Sequence, residues 1–283
     1  MTMHELSPPT HLKGRHGRIS ASLVSVRCFL RGAPLFFSAA PKTPLRVLCI
    51  MAFDSIHVLR CSKPLPRHRL RVLAALLDFG ACANAALDHK AFCTTDCQRA
   101  RLHLQEAGLD PMVDDYVRQL RELEQRRPAP GGGPRQFEEV RSYREAVARL
   151  SLGIVAATAF GDEGVETGIV TTHRDDALEI LFRIVMQCQI VDDILDYAKD
   201  ASAGLPSFLT AAASLPQAIE LTALAAGDYA TSSDLPKSGE MFPHRVALFG
   251  ISTLTKLVIR LRRWEYRFRW AGHVDEREGI RAI

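Results

Sequence analysis

Three observations predict an all-α fold for this chain, arranged as a single-domain helical bundle. From Arg67 onward apolar residues recur with the 3.6-residue period of a helix, helix start and stop signals fall at regular intervals, and no stretch alternates like a half-buried strand. With 283 residues, 47% of them apolar and 24% charged, the chain is long enough to enclose a substantial core. No internal repeat is detectable.

Residues 1 to 65 stand apart. They carry Pro8, Pro9, Pro34, Pro41, Pro44 and Pro64 among scattered Arg and Ser and show no sustained period. They are expected to be a poorly ordered basic segment preceding a domain of residues 66 to 283. An Arg-rich, Ser-containing, acid-poor start is of the kind found in organellar transit peptides, and an equally good reading places the true start near Met51. The apolar patch Ala33 to Ala40 is too short and too poorly flanked for a secretory signal. On this reading, removal of residues 1 to 60 leaves a folded, fully helical core.

The helices follow in order. Leu70, Leu73, Leu77, Ala81, Ala85 and Asp88 set the period of a first helix that ends near Lys90. Thr95 with Gln98 forms a capping box for a second, stopped by Gly108, and Asp110-Pro111 supplies an N-cap and an N1 proline to a third that runs to Pro128. The run P-A-P-G-G-G-P, residues 128 to 134, reads as a flexible connection, after which a long helix spans Phe137 to Phe160 and ends at Gly161. A polar, Gly-bearing loop reaches Thr172, a candidate N-cap for the fifth helix, which carries a row of aspartates near its end. Beyond Gly204-Leu205-Pro206 the pattern predicts a short helix near Ser207 to Ala213, another from Pro216 to about Ala230, and a long last one from Val246 to Trp270.

Composition narrows the partners. The formal charge is +4, yet residues 1 to 50 hold seven Lys or Arg against the single acid Glu5, so the remainder is slightly acidic. With no zinc finger, RNP-like motif or basic helix interleaved with aromatics, a nucleic-acid partner is not expected. Seven scattered cysteines, an odd number, fit a reducing, cytoplasmic compartment better than a disulfide framework. Cys93 and Cys97 lack the second ligand pair of a zinc site, and His89 and His103 lack partners at ligand spacing. Ser207 sits in L-P-S-F-L without the glycines of a nucleophile elbow. The best apolar run, Leu150 to Phe160, is too short to span a membrane. The basic and aromatic run Arg260 to Trp270 leaves two readings open, a peripheral membrane contact or a solvated last turn.

The chemical signature lies in Q-I-V-D-D-I-L-D-Y-A-K-D, Gln189 to Asp200, where four carboxylates fall within nine positions. On a helix, Asp192, Asp196 and Asp200 recur every four residues along one face, and like charges so placed repel by roughly a few tenths of a kcal/mol per pair. A cation relieves that repulsion. Mg²⁺ suits the donors, because it takes one or two carboxylates and completes its shell with water and substrate phosphates. A solvated acidic helix end is the plain alternative. In an up-and-down bundle the first, third and fifth helices run the same way. Asn84 and Asp88, ending the first, would then face the stripe across one mouth of the bundle, above an apolar interior able to hold a hydrocarbon tail.

These residues resemble the class I isoprenoid synthases, nearest the squalene and phytoene synthase branch. That branch carries Q-L-x-N-I-x-R-D-x-x-E-D, to which Gln189, Ile190, Asp192, Asp196, Lys199 and Asp200 correspond, with Gln189, Asp196 and Asp200 identical. The prenyl diphosphate synthase pattern F-Q-I-x-D-D-x-x-D is met nearly as well by Gln189, Ile190, Asp192, Asp193 and Asp196. Tyr143, Val147 and Ala148 match the Y-x-x-x-V-A of the preceding helix, and Gly204 and Pro206 resemble the G-R-x-Y-L-P region that follows. The similarity covers roughly residues 70 to 210. Departures are a first motif reduced to Asn84 and Asp88, Arg149 in place of a Gly, and Leu205 in place of a phosphate-facing Arg.

The resemblance implies a Mg²⁺-dependent enzyme that ionises an allylic prenyl diphosphate and shields the carbocation in an apolar pocket. Asp192, Asp196 and Asp200 would be catalytic metal holders, with Asn84 and Asp88 opposite, and Tyr143, Arg144 and Gln189 would meet the substrate. Arg149 is a further candidate for phosphate, against an ordinary i,i+4 pairing with Glu145. A second hypothesis, favoured by Asn84, is a non-catalytic helical binding or scaffold protein of the same fold. Changing Asp196 and Asp200 to Asn is expected to spare the fold and abolish Mg²⁺-dependent binding of a prenyl diphosphate. Chain length, product and oligomeric state are not readable from these residues.

Overall fold

The structure is a computed structural model describing residues 23, 44–61, 63–89, 94–161, 175–231 and 242–279. Among the described residues it is all-helical, with nine helices and no strand: α1 (Pro44–Cys61), α2 (Arg67–His89), α3 (Thr94–Glu106), α4 (Asp110–Gln125), α5 (Pro134–Phe160), α6 (Asp176–Leu195), α7 (Tyr197–Ala203), α8 (Leu215–Ala230) and α9 (Phe242–Gly279). The first of these corrects the expected boundary at residue 65. Residues 44 to 61 form a helix whose Ile50, Phe53 and Ile56 enter the main core, Phe53 with only 1% of its surface exposed. Phe53 packs on Phe160 of α5 with ring centroids 5.8 Å apart. Asp54 anchors the next turn by accepting from the Leu65 backbone N–H at 2.6 Å, and Arg46 pairs with Asp78 of α2 at 3.1 Å in a buried bridge. Proline at the first helical position, Pro44, had read as disorder when it marks a helix start.

The central element is α5, which packs against α1, α2, α4, α6 and α8. Its Ala-, Val- and Leu-rich second half, from Ala148 to Phe160, supplies most of the buried side chains around which the others gather. The most extensive pairing is α6 with α9, and α8 joins both. Their seam carries a polar tie: the fully buried Gln187 donates to the Ala226 carbonyl of α8 at 2.7 Å, and Thr255 of α9 donates to the Gln187 carbonyl. These two bonds tie three helices together, although the buried Gln187 amide oxygen has no hydrogen-bond partner among the described residues, which costs part of the gain.

Several local expectations shift. Asp110 is the first helical residue of α4 rather than its cap, and α5 begins at Pro134. The N-cap of α6 is Asp175, whose carboxylate accepts from the Ala177 and Leu178 N–H groups at 3.1 and 3.3 Å. The expected cap Thr172 lies outside the described residues. Residues 207 to 213 are a turn instead of a helix, because Thr210 captures the local backbone: its hydroxyl accepts from Ser207 N–H and donates to the Leu205 carbonyl, both at 2.7 Å. The run at 128 to 134 is no free linker either. Gly131 and Gly132 adopt positive φ of 80° and 140°, and the Gly131 N–H donates to the Thr210 carbonyl at 2.7 Å.

Candidate acidic site

The acidic stripe straddles a bend. Helix α6 ends at Leu195 and α7 begins at Tyr197, with Asp196 between them at φ −91° and ψ 7°. The i→i−4 ladder nevertheless continues across it, Asp196 N–H donating to Asp192 O at 2.8 Å and Asp200 N–H to Asp196 O at 2.9 Å. The left-handed Gly204, φ 65°, then stops α7.

Within that ladder the carboxylates divide into two sets. Asp193 and Asp200, two turns apart, face inward, with 4% and 8% of their surface exposed. Asp193 bonds Arg144 of α5 at 3.1 Å through one oxygen and accepts from the Phe208 N–H at 2.7 Å through the other. Arg144 also donates to the Pro206 carbonyl at 3.0 Å, so one guanidinium staples α5 to α6 and to the 205–210 turn. Asp200 hydrogen-bonds Ser207 and feels Arg144. Asp192 and Asp196 face outward, and Lys199 reaches Asp196 at 3.2 Å.

The electrostatics follow this division. Burial pushes the Asp193 carboxyl up to about 6, against the pull of Arg144 and the Phe208 N–H. Asp192 is raised by burial and by the charge on Asp196, with Arg144 and Lys199 pulling the other way. Asp200 is likewise raised by burial first and by Asp196. The stripe thus holds more negative charge than its own cations balance.

The other expected site residues fare unevenly. The Tyr143 hydroxyl donates to Glu124 and accepts from Arg127 at 3.3 Å, and burial pushes it up to about 12. Arg149 pairs with Glu179 at 3.4 Å instead of Glu145 and lies over the Phe182 ring, 3.7 Å from its centroid. Gln189 carries a buried amide oxygen with no hydrogen-bond partner among the described residues. Asn84 is exposed on α2, and Asp88 lies in the last turn of that helix with its side chain outside the described set. The described partners of the stripe come from α5, α7 and the 205–210 turn; α5 packs against both α2 and α6.

Sequence reasoning missed the Arg144–Asp193 bridge. Its signal was Asp193 itself, the one aspartate off the stripe, sitting among apolar neighbours where a charge needs a partner. Beside it Ile194, Leu209, Ile219, Thr222, Ile259 and Arg262 close on one another without room for a water molecule, so the expected space for a hydrocarbon tail is filled at that point. A surface groove of about 670 Å³ opens elsewhere, along α3 and α4, where the charges neutralise one another as in Arg101–Asp114 at 2.7 Å and Arg118–Glu122 at 3.0 Å.

Among the described residues no three His, Cys, Asp or Glu side chains converge on a point fit for a metal ion, and no helix is long and apolar enough to cross a membrane. The two outward carboxylates, Asp192 and Asp196, are the donors a hard cation would meet there, with water or phosphate oxygens left to complete its shell. Compared with models of known families, with curated proteins and with solved structures, the chain matches none.

Proposed function

We propose that this protein is a Mg²⁺-dependent prenyl transferase acting on an allylic prenyl diphosphate, in a helical bundle of the isoprenoid synthase type. The observation that carries the reading is the unbroken backbone ladder Asp192–Asp196–Asp200, which presents two outward carboxylates four residues apart and under mutual repulsion. Bound by Asp192 and Asp196, Mg²⁺ would neutralise a diphosphate and ease its departure. The chain's own residues would do the rest: Lys199, paired with Asp196, would set a positive charge beside a bound phosphate, and Arg144, paired with Asp193, holds α5, α6 and the 205–210 turn together.

A second reading, a non-catalytic helical binding or scaffold protein, is favoured by the commitment of Arg144 and Tyr143 to partners within the chain.

Asp192 and Asp196 make the cleanest test, since Asp200 is buried and engaged. Calorimetric titration with a prenyl thiodiphosphate, with and without Mg²⁺, should show Mg²⁺-dependent binding that weakens at least about tenfold when Asp192 and Asp196 are changed to Asn, each change removing a charged ligand. Equal affinity in both proteins would sink the site. Release of diphosphate from farnesyl or geranylgeranyl diphosphate separates the enzyme from the scaffold.

A further inference from the structure

Helix α9 buries one face and leaves an apolar stripe on the other. His244, Leu248, Ser252, Thr255 and Ile259 face the core, whereas Leu254, Leu257, Leu261, Trp264 and Phe268 are 46–61% exposed. At about 100° per residue the two sets lie about 180° apart on the helix. The exposed set is spaced 3, 4, 3, 4. Extended backwards through Gly250 and Ala247, it is an a/d seam over three heptads, with Ala247, Leu254, Leu261 and Phe268 at a and Gly250, Leu257 and Trp264 at d. Trp264 and Phe268 already pack on each other within the seam, ring centroids 4.3 Å apart and planes tilted by 54°.

We propose that α9 pairs with α9 of a second copy of this chain as a parallel two-stranded coiled coil. A stripe with the 3.5-residue period, directly opposite the core, lets two bodies sit on either side of one seam without colliding. Charge decides both occupant and direction. In the parallel register Arg260, at g, meets Glu265 of the copy, at e, five positions on; both helices donate the pair, so it forms twice. Glu265 also bonds Arg262 of its own chain at 2.6 Å, and one carboxylate can accept from two guanidinium groups at once. The antiparallel register sets Arg260 and Arg267 against their own kind instead. Basic residues lie on both flanks, Lys256, Arg260 and Arg267 on one and Arg262 on the other, but Glu265 beside Arg262 would lie against anionic headgroups on a lipid surface, where a second copy gives it a cation.

Sedimentation equilibrium of the full chain tests this. Wild type should be a dimer and Leu257→Glu/Leu261→Glu a monomer with unchanged far-UV circular dichroism, since both side chains are exposed. Arg260→Glu should weaken the dimer about tenfold by turning two attractions into repulsions, and Arg260→Glu/Glu265→Arg should restore it. A wild-type monomer overturns the proposal, as does a dimer indifferent to the Leu257 and Leu261 changes. A charge swap that fails to rescue overturns the parallel pairing. Monomer that co-sediments with phosphatidylserine vesicles, and loses this with Leu257→Glu, assigns the stripe to a membrane surface and overturns it too.

Discussion

At the scale of single residues, the pair Arg144 and Asp193 makes stability depend on pH. Removing one member of a buried ion pair strands the other, so Arg144→Met should cost about 3–5 kcal/mol near pH 8. Near pH 5 the loss should shrink, because Asp193 then takes up a proton and no longer needs a partner. Asp193 itself titrates from 3.8 to about 6 on folding. Between those values the folded chain keeps a proton that the unfolded chain has released, so this group's contribution favours folding below about pH 4 and is lost as pH rises through about 6. Urea melts in EDTA should show a stability difference between wild type and Asp193→Asn that changes over this window by on the order of 2–3 kcal/mol. A flat difference would mean that Asp193 stays ionised throughout. The four aspartates were visible in the sequence, but their division was not: periodicity marks Asp192, Asp196 and Asp200 as one face, while the bend at Asp196 and the claim of the 205–210 turn on Asp193 turn the inward set into Asp193 and Asp200.

At the scale of elements, apolar periodicity found α2, α5, α6, α8 and α9, while start and stop signals, Gly108 and Asp110-Pro111 among them, found α3 and α4. It failed at α1, which is apolar on most sides: Val47, Ile50, Phe53 and Ile56 are buried together with Arg46, Asp54, Ser55 and His57. The apolar residues recur every three positions as a helix requires, but the polar residues buried among them and the prolines around them blur the stripe. It failed again at 207–213, where side-chain capture by Thr210 outweighs the helical propensity of the alanines that follow. The consequence is testable. Deleting residues 1 to 60 should now destabilise the chain severely, contrary to the expectation from sequence, and Phe53→Ala alone should cost about 3–5 kcal/mol. Thermal melting of either protein close to wild type would show that α1 is a bystander.

At the scale of the whole molecule, one core cluster draws on α1 to α6, α8, α9 and the 207–213 turn. Such sharing predicts that far-UV circular dichroism and Trp fluorescence trace one coincident unfolding transition; separated midpoints would reveal independent units. The bond from Gly131 N–H to the Thr210 carbonyl extends this unity to the surface. It joins the glycine-rich loop to the turn whose Phe208 N–H rests on Asp193. Gly131 therefore carries a single amide proton that is shielded from solvent deuterium only while that turn is seated. In hydrogen exchange it should behave as a remote gauge of the acidic stripe, slowed when the stripe is locked and quickened when Arg144 is lost, although it touches no carboxylate itself.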